Sequence, residues 1–455
     1  MRRRRERGVI LDVDADDFGM GELASLAQSV RDSGILVASD ELDANGETHT
    51  RRDRLNADRA GDVPEAAPVA RIAHVILQRA LQEGASDIHI RPGAGGTAVY
   101  YRIYGILHDI VALPVYVHEP LVRYLQTLAG ISVGAGRQRH RAVLHINYRD
   151  AEHAVRLSTV RTTAGEYAAM RILYPPSVTG GLDALGMSTD IAAALDLTRD
   201  ERGGLILVAG PAGSGRTTTL YALLLDLPLA DQSVITIEDP VELTLPGVAQ
   251  VPVDPQEERD FPTALKQALE LDADAIMCLD VPDAATARVL LEASVAAPLV
   301  YAAVHADDAV HAMRRLLDLG VSRFMLAEGL GAVLVQRLMR VPCAECAQER
   351  EVTPAEREWL RDAGIAEPPP TVSTSQGCEA CRKTGVTGRT AAHEVLTIDA
   401  ELRRLLGSDA AISEVEATAA ERLIPLRHDL ARKVLAGRVD IVEAMCGTAF
   451  LPRYK

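Results

Sequence analysis

The stretch Gly210-Pro211-Ala212-Gly213-Ser214-Gly215-Arg216-Thr217-Thr218 decides the fold of this chain. It follows the apolar run 205–209, which predicts a buried strand, and precedes the apolar run 219–225, which predicts a helix. Strand, glycine-rich turn and helix together are the context of a phosphate-binding P-loop. The glycines let backbone N–H groups turn towards an anion, and the helix N-terminus adds partial positive charge. The predicted phosphate-binding residues are Gly210, Gly213, Ser214, Gly215, Arg216, Thr217 and Thr218.

One position of this motif departs from the usual pattern, since Arg216 stands where a P-loop has lysine. Arginine keeps the positive charge, but its planar guanidinium is larger than a compact ammonium group. Thr217 offers a hydroxyl of the kind that binds Mg²⁺ in such loops. The pattern therefore predicts ATP with Mg²⁺, and it leaves the strength of phosphate binding as a separate question.

Composition limits the classes of function. The chain has 455 residues, enough for two or three domains with their own cores, and a formal net charge of -16, which argues against general nucleic-acid binding. Aromatic residues are scarce, with one tryptophan, four phenylalanines and eleven tyrosines, so a stacking surface for single-stranded nucleic acid is not expected. No apolar run reaches the ~20 residues of a membrane span, and the basic start Met1–Arg5 is followed by Asp12 and Asp14 rather than an apolar core. We expect a cytoplasmic protein.

Changes in composition and in hydrophobic periodicity along the chain predict its domains. These are a mobile N-terminal segment over 1–66, an α+β domain over 67–175, a linker over 176–187 and a nucleotide-binding α/β domain over 188–455. In the last domain, strands are predicted at 205–209, 233–237, 275–279 and 299–304, and helices at 216–226, 261–271, 284–295, 308–318 and 322–340. Such alternation indicates a mainly parallel sheet covered on both faces. A helical C-terminal region completes the chain.

Polar side chains follow three of the predicted strands. Glu238 ends one strand, Asp280 follows the next, and His305 follows the last. The carboxyl ends of parallel strands are where α/β sheets bind ligands, so these residues are candidates to hold Mg²⁺ or the attacking water. A solvated acidic turn at Glu238 and a purely structural His305 are the alternatives, and the pattern leaves both open.

Four cysteines have the spacing of a metal site. Cys343 and Cys346, and then Cys378 and Cys381, form two C-x2-C pairs inside an insertion predicted over 341–390. In a cytoplasmic chain this pattern predicts tetrahedral Zn²⁺, with reduced free thiols as the alternative. Because all four ligands come from the protein, we expect a structural rather than a catalytic zinc.

Taken in order, these motifs resemble the secretion ATPases of type II secretion and type IV pilus assembly. The resemblance spans about Pro68 to Met445 and includes Ala85-Ser86-Asp87-Ile88-His89-Ile90, the P-loop, Glu238-Asp239-Pro240-Val241-Glu242, the four cysteines and Gly388-Arg389-Thr390. It implies a RecA-like P-loop ATPase domain preceded by a PAS-like domain. It also implies that Arg156 and Arg171 approach the phosphates. The implied partners are a homohexameric ring and an inner-membrane platform protein, which would place the chain peripherally at that membrane.

The departures from the family pattern keep a second function open. The family's P-loop lysine is Arg216 here, and an arginine upstream of the Walker B strand is Glu270. The family's Gly-Glu after that strand is Leu279-Asp280, and a following arginine is Pro282. Losing a preorganised electrostatic contact can cost roughly 10²–10³ in rate. The two readings are therefore a secretion ATPase and a catalytically impaired structural or regulatory paralogue, which would act in a mixed hexamer.

Overall fold

The computed structural model describes residues 10–12, 68–93, 95–131, 140–149, 151–173, 182–201, 204–254, 259–296, 299–449 and 451. The chain divides into two compact units, Met1–Pro175 and Pro176–Lys455. The predicted mobile segment 1–66 lies outside the described residues except for Ile10–Asp12, and the predicted linker 176–187 is described only from Leu182.

The first unit is a sheet with two helices. In chain order its elements are β1 (Ile10–Asp12), α1 (Pro68–Gln82), β2 (Asp87–Gly93), β3 (Gly96–Ile103), β4 (Ile106–Leu113), α2 (Val115–Leu128), β5 (His140–Tyr148), β6 (Ala151–Thr162) and β7 (Gly165–Leu173). The strand order is β1-β5-β6-β7-β2-β3-β4. β1 pairs with β5 in parallel, and the other neighbours are antiparallel.

Helix α1 forms because its apolar residues recur at helical spacing and bury one face against the sheet. Ile72 and Ile76 are buried on this face, and β3 alternates buried and half-buried residues as a strand with one covered face does. The buried Tyr101 of β3 donates a hydrogen bond from its hydroxyl to the carbonyl oxygen of Ile76, 2.6 Å away. The helix is therefore joined to the sheet by packing and by a satisfied buried polar group.

The second unit holds the P-loop. Its elements are α3 (Thr189–Glu201), β8 (Gly204–Ala209), α4 (Arg216–Leu225), β9 (Val234–Glu238), β10 (Ala249–Pro252), α5 (Phe261–Leu269), β11 (Ala275–Cys278), α6 (Ala284–Val295), β12 (Leu299–Val304), α7 (Ala309–Asp318), α8 (Arg323–Gly329), β13 (Leu330–Pro342), β14 (Ala347–Glu351), α9 (Pro354–Asp362), β15 (Thr371–Ser375), β16 (Val386–Thr397), α10 (Ala400–Leu406), α11 (Ile412–Arg422), α12 (Leu426–Leu435) and α13 (Ile441–Thr448). Short 3-10 turns occur at Leu182–Leu185 and Ala344–Cys346.

Strand β8 lies inside a seven-stranded sheet of order β10-β9-β11-β12-β8-β13-β16. All pairs are parallel except β13 with β16. Along β8, Leu205 and Leu207 belong to the core on one face, and Ile206 and Val208 to the core on the other. The strand is apolar throughout because both of its faces are covered. The loops after β8, β9, β11 and β12 therefore meet at one edge of the sheet.

The predicted helix over 322–340 is wrong beyond Gly329. Helix α8 ends there, and β13 runs from Leu330 to Pro342 between β8 and β16. Residues in the middle of β13 are buried on both faces, so the apolar run lacks the alternation that separates a strand from a helix. The β-branched Val333 and Val335 favour the extended form. Strand β16, its antiparallel partner, was not predicted from the sequence.

A smaller subdomain extends from the ends of β13 and β16. It contains the two-stranded sheet β14-β15 and helix α9. Thr353 and Glu356 form a reciprocal capping box at the start of α9, which satisfies two free N–H groups of the helix. Among the helices that the structure describes, none is long and apolar enough to cross a bilayer.

A buried carboxylate in β16 joins two helices that pack beside the P-loop edge. One oxygen of Glu394 accepts a hydrogen bond from the backbone N–H of Ala309, at 2.8 Å, and the other accepts from that of Leu426, at 3.4 Å. Ala309 begins α7 and Leu426 begins α12, so the carboxylate lies at two helix N-termini. Burial nevertheless raises the pKa of Glu394 to about 7.

We expect Glu394→Gln to flatten the pH dependence of stability. Because the folded-state pKa is raised above the unfolded value of 4.5, ionisation makes the native state less stable as pH rises from about 4.5 to about 7. Glutamine stays neutral and keeps one acceptor oxygen. Between pH 5 and pH 8 the wild type should lose about 2 kcal/mol more unfolding free energy than the variant, measured by denaturant titration. The exposed Glu358→Gln is the control, and equal pH slopes in all three proteins would contradict the prediction.

Candidate functional site

The P-loop follows β8 and has the backbone conformation that its glycines permit. Gly210, Gly213 and Gly215 have φ of +155°, +77° and +90°, which side chains of L-residues rarely adopt. Gly210 also lies against β13, since a Cβ there would be 2.5 Å from the carbonyl oxygen of Gln336. Gly215 is the N-cap of α4, whose first turn contains Arg216, Thr217 and Thr218. The structure thus brings the predicted phosphate-binding residues together at a helix N-terminus.

Two polar groups in this loop are buried without a partner. The hydroxyl oxygen of Ser214 and the Nη1 nitrogen of Arg216 have no hydrogen-bond partner within the described part of the chain. Buried donors of this kind are costly unless they are satisfied by water or by a ligand. An anion with several acceptor oxygens would satisfy both groups, so the donor set of the loop fits a bound phosphate.

Arg216 reaches across the sheet edge to His305, which follows β12. Its Nη2 lies 2.9 Å from Nε2 of His305. A guanidinium has only donors, so Nε2 must carry the lone pair and Nδ1 the proton. Burial and the charge of Arg216 lower the pKa of His305, which keeps the imidazole neutral. Burial also lowers the pKa of Arg216, and the charge of the nearby Asp280 opposes this effect.

The three strand-end candidates differ in exposure. Asp280 is half-buried, and one of its oxygens accepts the backbone N–H of Val281 at 2.9 Å. Glu238 is fully buried. One of its oxygens accepts from Thr236 at 2.6 Å and from Gln250 at 2.9 Å, and the other accepts from the hydroxyl of Tyr221. Asp280 and His305 are thus brought to Arg216, while the carboxylate of Glu238 is enclosed in its own hydrogen-bond network.

The departures from the family pattern lie at different distances from the loop. Glu270 caps the C-terminal end of α5 and is exposed at the edge where the strands begin, opposite the P-loop. Leu279 is half-buried against the core and donates its N–H to the carbonyl oxygen of Ile237. Pro282 is exposed two residues after Asp280. Arg216, the fourth departure, contacts another candidate site residue, His305, through its side chain.

Two residues of β13 that contact the loops at this edge were missed by the sequence analysis. Gln336 is 2% exposed and forms hydrogen bonds with Ser214 of the P-loop and Thr219 of α4. Arg337 donates to the carboxylate of Asp307 at 3.1 Å, in the loop of His305, and to the carbonyl oxygen of Gly447 at 3.0 Å. The signal was a polar pair within an apolar run, which must find partners if the run is a buried strand.

The four cysteine sulfurs lie together in the small subdomain, all within 4.8 Å of one another. The closest pairs are Cys378 with Cys381 at 3.7 Å, and Cys343 with Cys378 and Cys346 with Cys381 at 3.9 Å. Ligands of a tetrahedral Zn²⁺ at about 2.3 Å are separated by about 3.8 Å. Backbone N–H groups, first that of Cys378, hold the pKa of Cys381 down to about 6, whereas burial raises the pKa of Cys343 to about 11. The geometry and the sulfur chemistry both fit zinc.

The arginines predicted from the first unit lie in a row across its sheet. Arg156 of β6 pairs with Arg171 of β7, Arg171 with Asp87 of β2, and Asp87 with Arg102 of β3. Asp87 bridges its two neighbours, with oxygen–nitrogen distances of 2.9 Å to Arg171 and 3.9 Å to Arg102. The row carries more positive than negative charge, which suits an anionic ligand.

The comparisons with known proteins agree with these features. The family model described as Type II/IV secretion system protein matches residues 62–446. The chain is 36% identical over 387 residues to the type II secretion system protein HxcR of Pseudomonas aeruginosa, covering 84% of this chain and 78% of that protein. It is 32% identical over 381 residues to the type II secretion system ATPase E of Vibrio cholerae, covering 83% and 75%.

Among solved structures, the fold is similar to that of the Legionella pneumophila ATPase DotB. The TM-score is 0.61 at 19% identity, covering 82% of this chain and 94% of DotB, so this likeness concerns the fold alone. The predicted mixed α/β ATPase fold is confirmed, and the comparisons give no support to the alternative of a non-hydrolysing paralogue. From the match over 62–446 and the identity to its relatives, this chain belongs to the Type II/IV secretion system protein family.

Proposed function

We propose that this chain is a secretion ATPase that hydrolyses ATP with Mg²⁺ to drive pilus or pseudopilus assembly and protein secretion. The observation that carries the proposal is the P-loop at the carboxyl edge of the parallel sheet. There Arg216 and Ser214 keep buried donors that have no partner among the described residues, and Asp280 and His305 are close by. This arrangement supplies the positive charge and the oriented N–H groups that phosphoryl transfer requires.

Arg216 takes the role of the P-loop lysine in this proposal. Its guanidinium has five N–H donors, and one of them is already directed to His305. The others remain for phosphate oxygens, which a guanidinium binds well in pairs. Neutral His305 accepts a hydrogen bond from Arg216. It therefore orients the guanidinium without adding a positive charge of its own.

Asp280 and Glu238 have separate roles in the proposed mechanism. The half-buried carboxylate of Asp280 would hold Mg²⁺ through water or accept a proton from the attacking water, and the Thr217 hydroxyl would coordinate the ion directly. Bound Mg²⁺ neutralises charge on the transferring phosphoryl group. Glu238 accepts three hydrogen bonds in its buried network, so we assign it the positioning of this sheet edge.

The assembly is proposed from the family. We infer a hexameric ring, formed by this chain alone or with a paralogue, that acts at the cytoplasmic face of the inner membrane on a platform protein of the secretion or pilus machine. The first unit is proposed as the PAS-like domain, in which Arg156 and Arg171 approach the phosphates. The row of arginines across its sheet supports that role.

Asp280→Asn tests the catalytic assignment. We expect steady-state turnover of MgATP to fall by roughly 10²–10³, since a charged group that acts on the transferring phosphoryl is lost. The exposed Asp318→Asn, at the end of α7, is the matched control and should turn over as the wild type does. Unchanged turnover in Asp280→Asn would refute the role of Asp280. The wild type is assayed as a hexamer together with a platform-protein fragment. If it then shows no ATP turnover, the proposed function is refuted.

Substitutions of Arg216 test whether its charge replaces that of the usual lysine. Arg216→Ala should lower kcat/KM for MgATP by roughly 10²–10³, because no other side chain supplies that charge inside the loop. Arg216→Lys should stay within about tenfold of the wild type, since an ammonium keeps the charge. The exposed Arg361→Ala is the control. If Arg216→Ala matches the wild type, the loop does not use this residue.

We also propose that Cys343, Cys346, Cys378 and Cys381 bind one structural Zn²⁺. Protein purified under reducing conditions should contain about one zinc per chain by elemental analysis. The double variant Cys378→Ser/Cys381→Ser should contain less than half of that, whereas Cys446→Ser, an exposed cysteine outside the cluster, should keep it. A wild type with less than half an equivalent of zinc would refute the site.

A further inference from the structure

We propose that Gln336 of β13 is the positioning residue that sets the shape of the P-loop for phosphate binding. The inference rests on the proposed function, because it concerns the same phosphate site. Gln336 lies outside the P-loop motif, 117 residues beyond Thr219 in the chain. It reaches the loop because β13 pairs with β8, whose last residue Ala209 lies beside Val335.

The side chain of Gln336 joins the loop to the helix that follows it. Its Nε2 donates to the carbonyl oxygen of Ser214 at 2.6 Å, and its Oε1 accepts from the hydroxyl of Thr219 at 2.5 Å. All three residues are buried. The amide nitrogen of Gln336 is thus hydrogen-bonded to a residue of the P-loop, and its amide oxygen to a residue in the first turns of α4.

The contact with Ser214 fixes a peptide group that faces the phosphate site. The carbonyl of Ser214 and the N–H of Gly215 belong to one planar peptide bond and point in opposite directions. When Gln336 draws the carbonyl towards β13, the N–H of Gly215 is turned away from β13. At the N-cap of α4, this N–H is one of the free donors that bind anions.

The backbone of the loop is also packed against the same residue. A Cβ on Gly210 would lie 2.5 Å from the carbonyl oxygen of Gln336, and a Cβ on Gly215 would lie 2.7 Å from its Nε2. One residue therefore contacts the loop where it leaves β8 and where it enters α4. A side chain at either glycine would displace the loop or the Gln336 side chain from this contact.

Only an amide of this length fits both partners. A glutamate would direct a carboxylate oxygen at the Ser214 carbonyl, and both of these groups are acceptors. An apolar side chain would leave the Ser214 carbonyl and the Thr219 hydroxyl buried without partners, which favours a different loop conformation. The expected defect is thus in the loop and its ligand rather than in the sheet, whose strands remain apolar and paired.

Binding of MgADP, measured by calorimetry on the full chain, tests the proposal. Gln336→Met keeps the length of the side chain and removes the amide, and we expect the Kd to rise by about tenfold or more. Thr219→Val, a milder change to the same network, should raise it less. In a double-mutant cycle the two effects should be less than additive, because they share one hydrogen bond.

Gln126→Met is the matched control. Gln126 is also a buried glutamine with two side-chain hydrogen bonds, to Thr159 and Glu166, but it lies in the first unit. The Gln126→Met variant should have a lower melting temperature than the wild type, with an unchanged Kd for MgADP. Wild-type Kd values in both Gln336→Met and Thr219→Val would overturn the role of Gln336. If the wild type itself does not bind MgADP, the proposed function fails instead.

Discussion

The contact between the P-loop and the neighbouring strand β13 is the constraint on which the rest of the site depends. A Cβ at Gly210 would lie 2.5 Å from a backbone oxygen of this strand, and one at Gly215 would lie 2.7 Å from the side-chain Nε2 of Gln336. The loop rests on β13, which is itself paired with β8 on one side and β16 on the other. The shape of the proposed phosphate site therefore depends on three adjacent strands as well as on the short motif.

From this edge of the sheet, contacts continue to the C-terminal helices. Arg337 joins the His305 loop to Gly447 at the end of α13, and Glu394 joins the start of α7 to the start of α12. Arg216 then binds His305 directly. A change at the phosphate site would thus reach side chains and helix ends that are already in contact. These contacts form a continuous physical connection between the proposed nucleotide site and the C-terminal region.

The sequence specified the P-loop, the neighbouring parallel strands and the cysteine pairs, because each rests on local spacing or on an apolar run between glycines. It was misleading at β13, where an apolar run buried on both faces has no alternation and resembles a helix. That error concealed Gln336, since a glutamine on a helix can face solvent whereas one in a central strand needs partners. The buried hydrogen-bond network of Glu238 could not be predicted from the sequence either. Its partners Tyr221, Thr236 and Gln250 come together only in the folded chain.

The two edge strands of the ATPase sheet affect how neighbouring copies of the chain can associate. At one end, β10 has only four residues and finishes at Pro252, while its Gln250 turns inwards to Glu238. At the other end, the main chain of Val395 in β16 exchanges two hydrogen bonds with Ile424. A short edge strand, and an edge strand with one position already paired, give a neighbouring copy fewer backbone groups to pair with. In the proposed ring, adjacent copies would then associate through side chains rather than by the edge-to-edge strand pairing that leads to aggregation.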